Sequence, residues 1–486
     1  MSGPPPQARG TRPEGGSGAR IGLVELAQWA GGDLVVRAAP ENPSAREALL
    51  RSVIAGATLD TRTIAPGMLF VPLPGSRTDG HAFLDEAFER GAGAALCARA
   101  VHPTIAHLPL GPLVLVDDVT AALQRLAGRV RQRWQGWLVA ITGSAGKTTT
   151  KELVAAVLAT RGPVLRTEGN LNNHWGVPLT LLGLEPGHLA AVIEIGMNHA
   201  GEIAALAGIA QPNACVITNA GTAHLENFGS LEGIAREKAS LAWTLRPGAP
   251  AFVGADSPRL LAALTGVPAR VIRYGLAPDA DLHPEAVEDL GDAGSRVLVQ
   301  GFPPLQLQLI GRHQVLNALA ALAVARELAL DPAAVVATLA AHRPLAGRME
   351  IRHAQGATLL VDCYNANPDS MRAALATLAD WPRAQRRIAV LGDMRELGGT
   401  AAELHREVGG AVRRAELWVV GRHAGDYAAG AAHAGVPVRR FPDKAAVAAA
   451  LRAEIGPGTV VLLKASRGAA LEDVLSGLPV ETTQEI

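Results

Sequence analysis

The stretch that decides the fold is Trp137-Leu-Val-Ala-Ile-Thr-Gly-Ser-Ala-Gly-Lys-Thr-Thr-Thr-Lys-Glu152. It opens on a short apolar run, Leu138 to Ile141, that suits a buried parallel strand. Gly143, Ser144, Ala145 and Gly146 form a glycine loop, followed by Lys147, Thr148 and Thr149. Beyond it Leu153, Val154, Val157 and Leu158 recur at helical spacing. Strand, loop and helix start together make a phosphate cradle. The glycines let backbone N–H groups close on a triphosphate, and the helix N-terminus favours the anion. In that cradle Lys147 reaches the β- and γ-phosphates and the Thr148 hydroxyl holds Mg²⁺. The general pattern has one more glycine where this chain has Ile141, so the loop is the shortened form G-x-x-G-K-T-T. Such a loop fits a ligase, a motor ATPase and a nucleotide switch alike.

The 486 residues suit about three domains, and 48% hydrophobic residues can fill several cores. A formal net charge of zero argues against broad electrostatic binding to nucleic acid. Cys97, Cys215 and Cys363 are far apart and form no C-x-x-C, which suits a reducing cytoplasm and gives no zinc site. No apolar run approaches the ~20 residues of a membrane span. Residues 1–19 read as a disordered tail, not a signal peptide. Only five of the basic residues are lysines, Lys147, Lys151, Lys238, Lys444 and Lys464, against 40 arginines. Lysine can be neutral, nucleophilic or covalently modified near neutral pH and arginine cannot, so a surviving lysine marks a place where arginine would not serve. For Lys151 and Lys444 chance retention explains the residue equally well.

Working outward, residues 20–117 read as a small α/β domain with polar turns at Asp60-Thr61-Arg62 and at 75–83. After the loop, strands and helices alternate to about Leu345. Val192 to Ile195 and Ala214 to Thr218 are strands whose carboxyl ends carry Glu194, Asn198, His199, Asn219 and His224. Ligands of open parallel sheets sit at such ends. Glu194 is placed to be the second holder of Mg²⁺ beside Thr148, though it also reads as an ordinary strand-end carboxylate. His224 equally suits a surface loop, and Lys238, on a helix from Glu232 to Thr244, a solvated helix face. A third unit from about Gly347 has strands at 358–361, 388–391, 417–420 and 460–463, with helices at 369–379, 401–414 and 443–454. Four such alternations predict a parallel, doubly wound sheet. Asp362 to Pro368 and Lys464 to Arg467 end two of its strands. No Ser–His–Asp pattern and no H-E-x-x-H is present, so serine or zinc hydrolysis has no support.

Over about residues 20–475 the chain resembles the Mur ligases. The motifs are Asp60-Thr-Arg62, Asp79-Gly-His-Ala-Phe83, Thr142 to Thr149, Thr167 to Asn173, Glu194 to His199, Ala223 to Ser230, Gly311 to Asn317, Gly347 to Glu350, Asp362 to Pro368, Leu391 to Gly398 and Lys464 to Arg467. The runs Tyr364-Asn-Ala-Asn-Pro368 and Leu391-Gly-Asp-Met394 match the branch that adds D-alanyl-D-alanine. The resemblance implies an α/β fold of three domains. They are a UDP-sugar-binding domain over 20–117, a central P-loop ATPase with a parallel-type sheet over 118–345, and a Rossmann-like ligase domain over 346–486.

The implied reaction is ATP-dependent ligation of D-alanyl-D-alanine to UDP-N-acetylmuramoyl-tripeptide through an acyl phosphate, in peptidoglycan precursor synthesis. The enzyme is expected to be a cytoplasmic monomer that binds no nucleic acid and inserts into no membrane. Asp60, Thr61, Arg62, Gly80 and His81 match nucleotide-sugar positions. Asn317, Arg348 and Asp362 match ATP contacts, and Asn365, Asn367 and Lys464 are candidates for the closed ligation site. Glu194 and His224 match Mg²⁺ positions, and Lys238 matches a lysine that several members carry as a carbamate, an anion able to hold a second Mg²⁺. The chain departs from the family at Gln314, usually asparagine, at Val361-Asp362-Cys363, usually Asp-Asp-Ser, and at Ala465, usually glycine.

Overall fold

The computed structural model describes residues 18–36, 43–75, 78–105, 111–222 and 225–481. Most of the tail expected over 1–19, part of the turn at 75–83, and His224 lie outside these residues. Contacts group the chain into two compact units. No helix among the described residues is long and apolar enough to cross a membrane.

The first unit runs to Leu138 and takes in 163–193 and 208–211. Its sheet has the order Asp33–Val35, Leu113–Val116, Ala94–Ala98, Leu69–Phe70, Ala57–Thr58. All pairs are parallel except the first. Phe70, Ala95, Cys97, Leu113 and Leu115 pack with Leu84 and Ala87 of the helix Leu84–Glu89. Before it Asp79 caps a 3₁₀ turn, Gly80–Phe83, by accepting from the His81 N–H.

The second unit holds the strand β1 (Trp137–Thr142) from Val139 onward. Beside it run β2 (Ala214–Ile217), β3 (Pro250–Gly254) and β4 (Arg270–Tyr274), each parallel to the next. Leu138 to Ile141 are wholly buried, as their unbroken apolar run predicts. Helix α1 (Lys147–Ala159) leaves the glycine loop, α2 (Leu231–Trp243) follows β2, and α3 (Arg312–Glu327) packs on α1. α3 is apolar nearly all round, which is why it sits inside. The segment 284–307 forms a three-stranded antiparallel sheet.

The same unit contains a six-stranded sheet built from β5 (Glu350–Ala354), β6 (Ala357–Asp362), β7 (Arg386–Leu391), β8 (Glu416–Val420), β9 (Val438–Phe441) and β10 (Thr459–Lys464). Their order is β5-β6-β10-β7-β8-β9, with only β5 antiparallel. Alternate residues serve two cores. Leu360, Ala389, Leu391, Leu417 and Leu462 face α4 (Pro368–Ala379) and the helices 401–410 and 424–433. Leu359, Val361, Ile388, Val390, Trp418 and Leu463 face the helix Lys444–Glu454. The sheet is therefore doubly wound, as expected. The helix expected over 401–414 ends at Gly410, where consecutive glycines stop it.

Candidate active site

The glycine loop is shaped by close approaches that forbid side chains. At Gly143 (φ 153°) a Cβ would lie 1.8 Å from Thr218 Oγ1, and at Gly146 (φ 81°) one would lie 2.4 Å from Asn317 Oδ1. Thr218 Oγ1 donates to the Ala145 carbonyl at 2.6 Å. Asn219 Oδ1 accepts from the Ser144 and Ala145 N–H groups at 3.0 Å each, and its Nδ2 donates back to the Ala145 carbonyl at 3.2 Å. One side chain from the end of β2 thus fixes the middle of the loop. Asn317 Oδ1 accepts from Thr150 Oγ1 at 3.1 Å. Gln314 accepts from Asn317 Nδ2 at 2.8 Å, so the residue that departs from the family has an evident task in orienting that amide.

Lys147 Nζ donates to the Gly143 carbonyl at 2.7 Å, curling over the loop it belongs to. Burial pushes its pKa down, Glu194 pulls it back up, and Arg348 adds to the depression. Glu194 is buried at the end of its strand, where the Ile195 N–H donates to the Ile141 carbonyl of β1. Thr148 Oγ1 accepts from Arg348 Nη2 at 3.0 Å. The Thr148 hydroxyl and the Glu194 carboxylate are the oxygen donors a hard divalent cation takes. Among the described residues no group of three His, Cys, Asp or Glu side chains gathers around a point. A Mg²⁺ ion here would therefore rely on phosphate oxygens for much of its shell, as is usual for it.

Lys238, on α2, is 1% exposed and its amine meets Met197 Sδ at 3.7 Å. Burial drives its pKa well below the ordinary value, the Lys147 charge pushes the same way, and Glu237 opposes both. Glu237 is itself committed to the N–H groups of Gly201 and Ile203.

The six-stranded sheet delivers its strand ends to the same loop. Asn367 caps α4 in a reciprocal capping box with Ser370, and its Nδ2 donates to the Ser144 carbonyl at 3.3 Å. Asp362 and Lys464, register partners on β6 and β10, form an ion pair at 2.5 Å, and Lys464 also donates to the Asn365 carbonyl at 3.2 Å. Asn365 Oδ1 accepts from the Ala366 N–H. His313, in the first turn of α3, has an Nδ1 that is buried and has no hydrogen-bond partner among the described residues. Its pKa is pushed down to about 4 by burial, with Asp362 opposing and Lys464 assisting. The Arg348 guanidinium lies 4.1 Å from the Tyr364 ring centroid, and Arg467 lies 5.4 Å from it.

The other departures are packing choices. Cys363 donates to the Leu463 carbonyl, and burial pushes its thiol up to about 12. Ala465 is wholly buried, and Gly392 makes room for its methyl.

Asp60, Thr61, Arg62, Gly80 and His81 lie in the first unit. Asp60 accepts three hydrogen bonds from the Arg62 guanidinium and one from its N–H, and the Arg62 side-chain hydrogen bond chiefly holds its carboxyl below the usual range. Arg62 is largely exposed, so the pair adds little stability. His81 is buried, with Nδ1 on Asp79 at 2.6 Å and Nε2 accepting from the Ala98 N–H. Asn219, Tyr364 and Asp369 were assigned no role from sequence. Asn219 carried a signal in its place just past a parallel strand's carboxyl end, and Tyr364 in opening a diagnostic run; Asp369 carried none.

A shortened phosphate loop on a parallel sheet, met by the strand ends of a doubly wound sheet, defines a nucleoside-triphosphate-using α/β protein. Three family models match the chain: the Mur ligase family catalytic domain over residues 53–131, the Mur ligase middle domain over 141–325 and the Mur ligase glutamate ligase domain over 347–467. The chain belongs to the Mur ligase family. It is 38% identical over 437 residues to the UDP-N-acetylmuramoyl-tripeptide–D-alanyl-D-alanine ligase of Escherichia coli, spanning 87% of this chain and 93% of that one. The crystal structure of MurF from Acinetobacter baumannii is similar with a TM-score of 0.83 and 28% identity, covering 95% of this chain and 99% of that chain. MurF from Thermotoga maritima in complex with ADP is similar with a TM-score of 0.76 and 28% identity, covering 87% and 96%.

Proposed function

We propose that this chain ligates D-alanyl-D-alanine to UDP-N-acetylmuramoyl-tripeptide with conversion of ATP to ADP and phosphate, in peptidoglycan precursor synthesis. The observation that carries the reading is the meeting of Asn367, from the run 364–368, with the phosphate loop at Ser144. The boundaries that fit this work are 20–117 for the nucleotide-sugar domain, 118–345 for the ATPase and 346–486 for the ligase domain. Asp60, Thr61, Arg62, Gly80 and His81 hold the nucleotide sugar. The enzyme works in the cytoplasm as a monomer.

The tripeptide's terminal carboxylate oxygen attacks the ATP γ-phosphorus, the bond to the ADP oxygen breaks, and an acyl phosphate forms. The dipeptide amine then attacks the acyl carbon, phosphate leaves, and the amine gives up a proton. Phosphoryl transfer needs in-line placement and charge neutralisation. The loop N–H groups, Lys147 and Arg348 supply these; Lys147 leaves the Gly143 carbonyl for the β- and γ-phosphates. Asn317 and Asp362 contact the nucleotide, and Asn365, Asn367 and Lys464 shape the side where the amine arrives.

Thr148 with Glu194 would hold one Mg²⁺, and His224 with Lys238 a second; bound there, the ions neutralise phosphate charge. Lys238 fits this role as a carbamate. Burial shifts its amine toward the neutral, nucleophilic form, and attack of that form on CO₂ gives an anionic oxygen ligand and one proton.

The deciding assay follows phosphate release with ATP and the nucleotide tripeptide, with and without D-alanyl-D-alanine. Release that depends on the dipeptide supports the reading, and release indifferent to it refutes it.

A further inference from the structure

Asp369 follows the run 362–368 and has no part in the site above. It lies in the first turn of α4, and its carboxylate reaches off that helix. Asp369 Oδ2 accepts from the Thr222 N–H at 2.5 Å and from Thr222 Oγ1 at 2.9 Å. Arg372, three residues on, donates to Oδ1 at 3.3 Å. A Cβ on Gly221 would fall 2.0 Å from Asp369 Oδ2, so the chain passes the carboxylate at a distance only glycine permits.

Thr222 ends a short segment, 219–222, whose other end is bonded to the phosphate loop. Asn219 accepts from the Ser144 and Ala145 N–H groups, and Ser144 Oγ accepts from the Gly221 N–H at 2.8 Å. Asn367, two residues before Asp369, donates to the carbonyl of the same Ser144. Phosphate loop, segment 219–222 and the N-terminus of α4 thus form a closed ring of hydrogen bonds. Its charge-assisted link is Asp369, since Asn367 offers one neutral bond at 3.3 Å.

We propose that Asp369 is a positioning residue for ligation, tying α4 to segment 219–222 so that the loop and the amine's side of the site are held together while the acyl phosphate exists. The inference rests on the ligase reading. An acyl phosphate is open to water, and a site that parts before the amine attacks loses it to hydrolysis. Weakening the tie therefore consumes ATP without making product, a different outcome from uniform loss of activity.

The experiment uses Asp369→Ala, Asp369→Asn and Thr222→Val in the full chain, with Asp369→Ala/Thr222→Val as the double variant. ADP and ligated product are counted in the same reactions. In Asp369→Ala product formation falls about tenfold, ADP formation falls less, and the ADP-to-product ratio rises above wild type. Thr222→Val raises it in the same direction, the double variant is no worse than Asp369→Ala, and Asp369→Asn recovers part of the coupling. A ratio that stays at the wild-type value in both single variants overturns the proposal, whatever their rates. Hydrogen exchange without substrates tests the tie separately: amides of 219–222 exchange faster in Asp369→Ala, and unchanged exchange overturns it. A wild-type chain that forms no product fails the ligase reading, and the role in ligation with it. The exchange result tells that failure from failure of the tie.

Discussion

Arg348 donates to the phosphate-loop hydroxyl of Thr148 at 3.0 Å, although the two stand 200 positions apart. The same guanidinium lies over the Tyr364 ring. One side chain therefore joins the helix start that binds phosphate to the run that follows β6.

Arg348→Ala removes both contacts and one positive charge near Lys147. Loss of a charged hydrogen bond of about 1.5–3 kcal/mol lowers kcat/KM roughly 10- to 150-fold. Arg348→Lys keeps the charge but neither the planar stack nor the fork, and recovers only part. Steady-state kinetics at varied ATP checks this, and a wild-type kcat/KM in Arg348→Ala refutes it.

Asn219→Ala releases the Ser144 and Ala145 N–H groups from their shared acceptor. The loop then has to be ordered by the nucleotide. The expected result is a KM for ATP raised about tenfold, consistent with one to two lost hydrogen bonds. Titration with ADP reads the same change as weaker binding.

Lys238 makes folding depend on pH in a defined direction. Its amine stays protonated up to about the ordinary lysine value when unfolded, and loses its proton at much lower pH when folded. Between those values the unfolded state binds more protons, so stability rises with pH. In bicarbonate-free buffer Lys238→Met lacks this term. Wild type should gain on the variant by up to about 1.4 kcal/mol per pH unit as pH climbs toward the unfolded pKa. Thermal midpoints of both proteins from pH 7 to 9 measure it, and a constant gap contradicts it.

His313 should titrate near 4, and stay neutral through the range where free histidine takes up a proton. The unfolded chain binds the extra proton between about 6.5 and about 4, so this residue costs stability as pH falls through that window. NMR of the imidazole carbon signals gives the midpoint. His313→Gln should lose less stability on acidification than wild type.

Local chemistry was legible in the sequence and long-range contacts were not. The phosphate loop could be read because strand, glycines, lysine and helix are consecutive. The doubly wound sheet could be read because its four inner strands, β6, β10, β7 and β8, are each an apolar run. The helix Ala424–His433 was not foreseen, since Ala and Gly give little periodic contrast. The edge strands β5 and β9 were missed because charged residues interrupt them, in Glu350-Ile-Arg-His-Ala354 and Val438-Arg-Arg-Phe441. Asp369 was passed over because its partner Thr222 lies 147 residues earlier, and nothing local marks an aspartate that bonds away from its own helix.

The scarcity of lysine has a practical side. Lys151, Lys238 and Lys464 are each 1% exposed, and Lys147 curls onto its own loop. Lys444 remains, paired with Asp473 but with 35% of its side chain open to solvent. Acylating dyes, biotin esters and amine cross-linkers applied to the folded protein therefore meet Lys444, the part-buried Lys147 and the α-amine, while three lysines are shielded. The extent of labelling at Lys151, Lys238 and Lys464 becomes a gauge of unfolding.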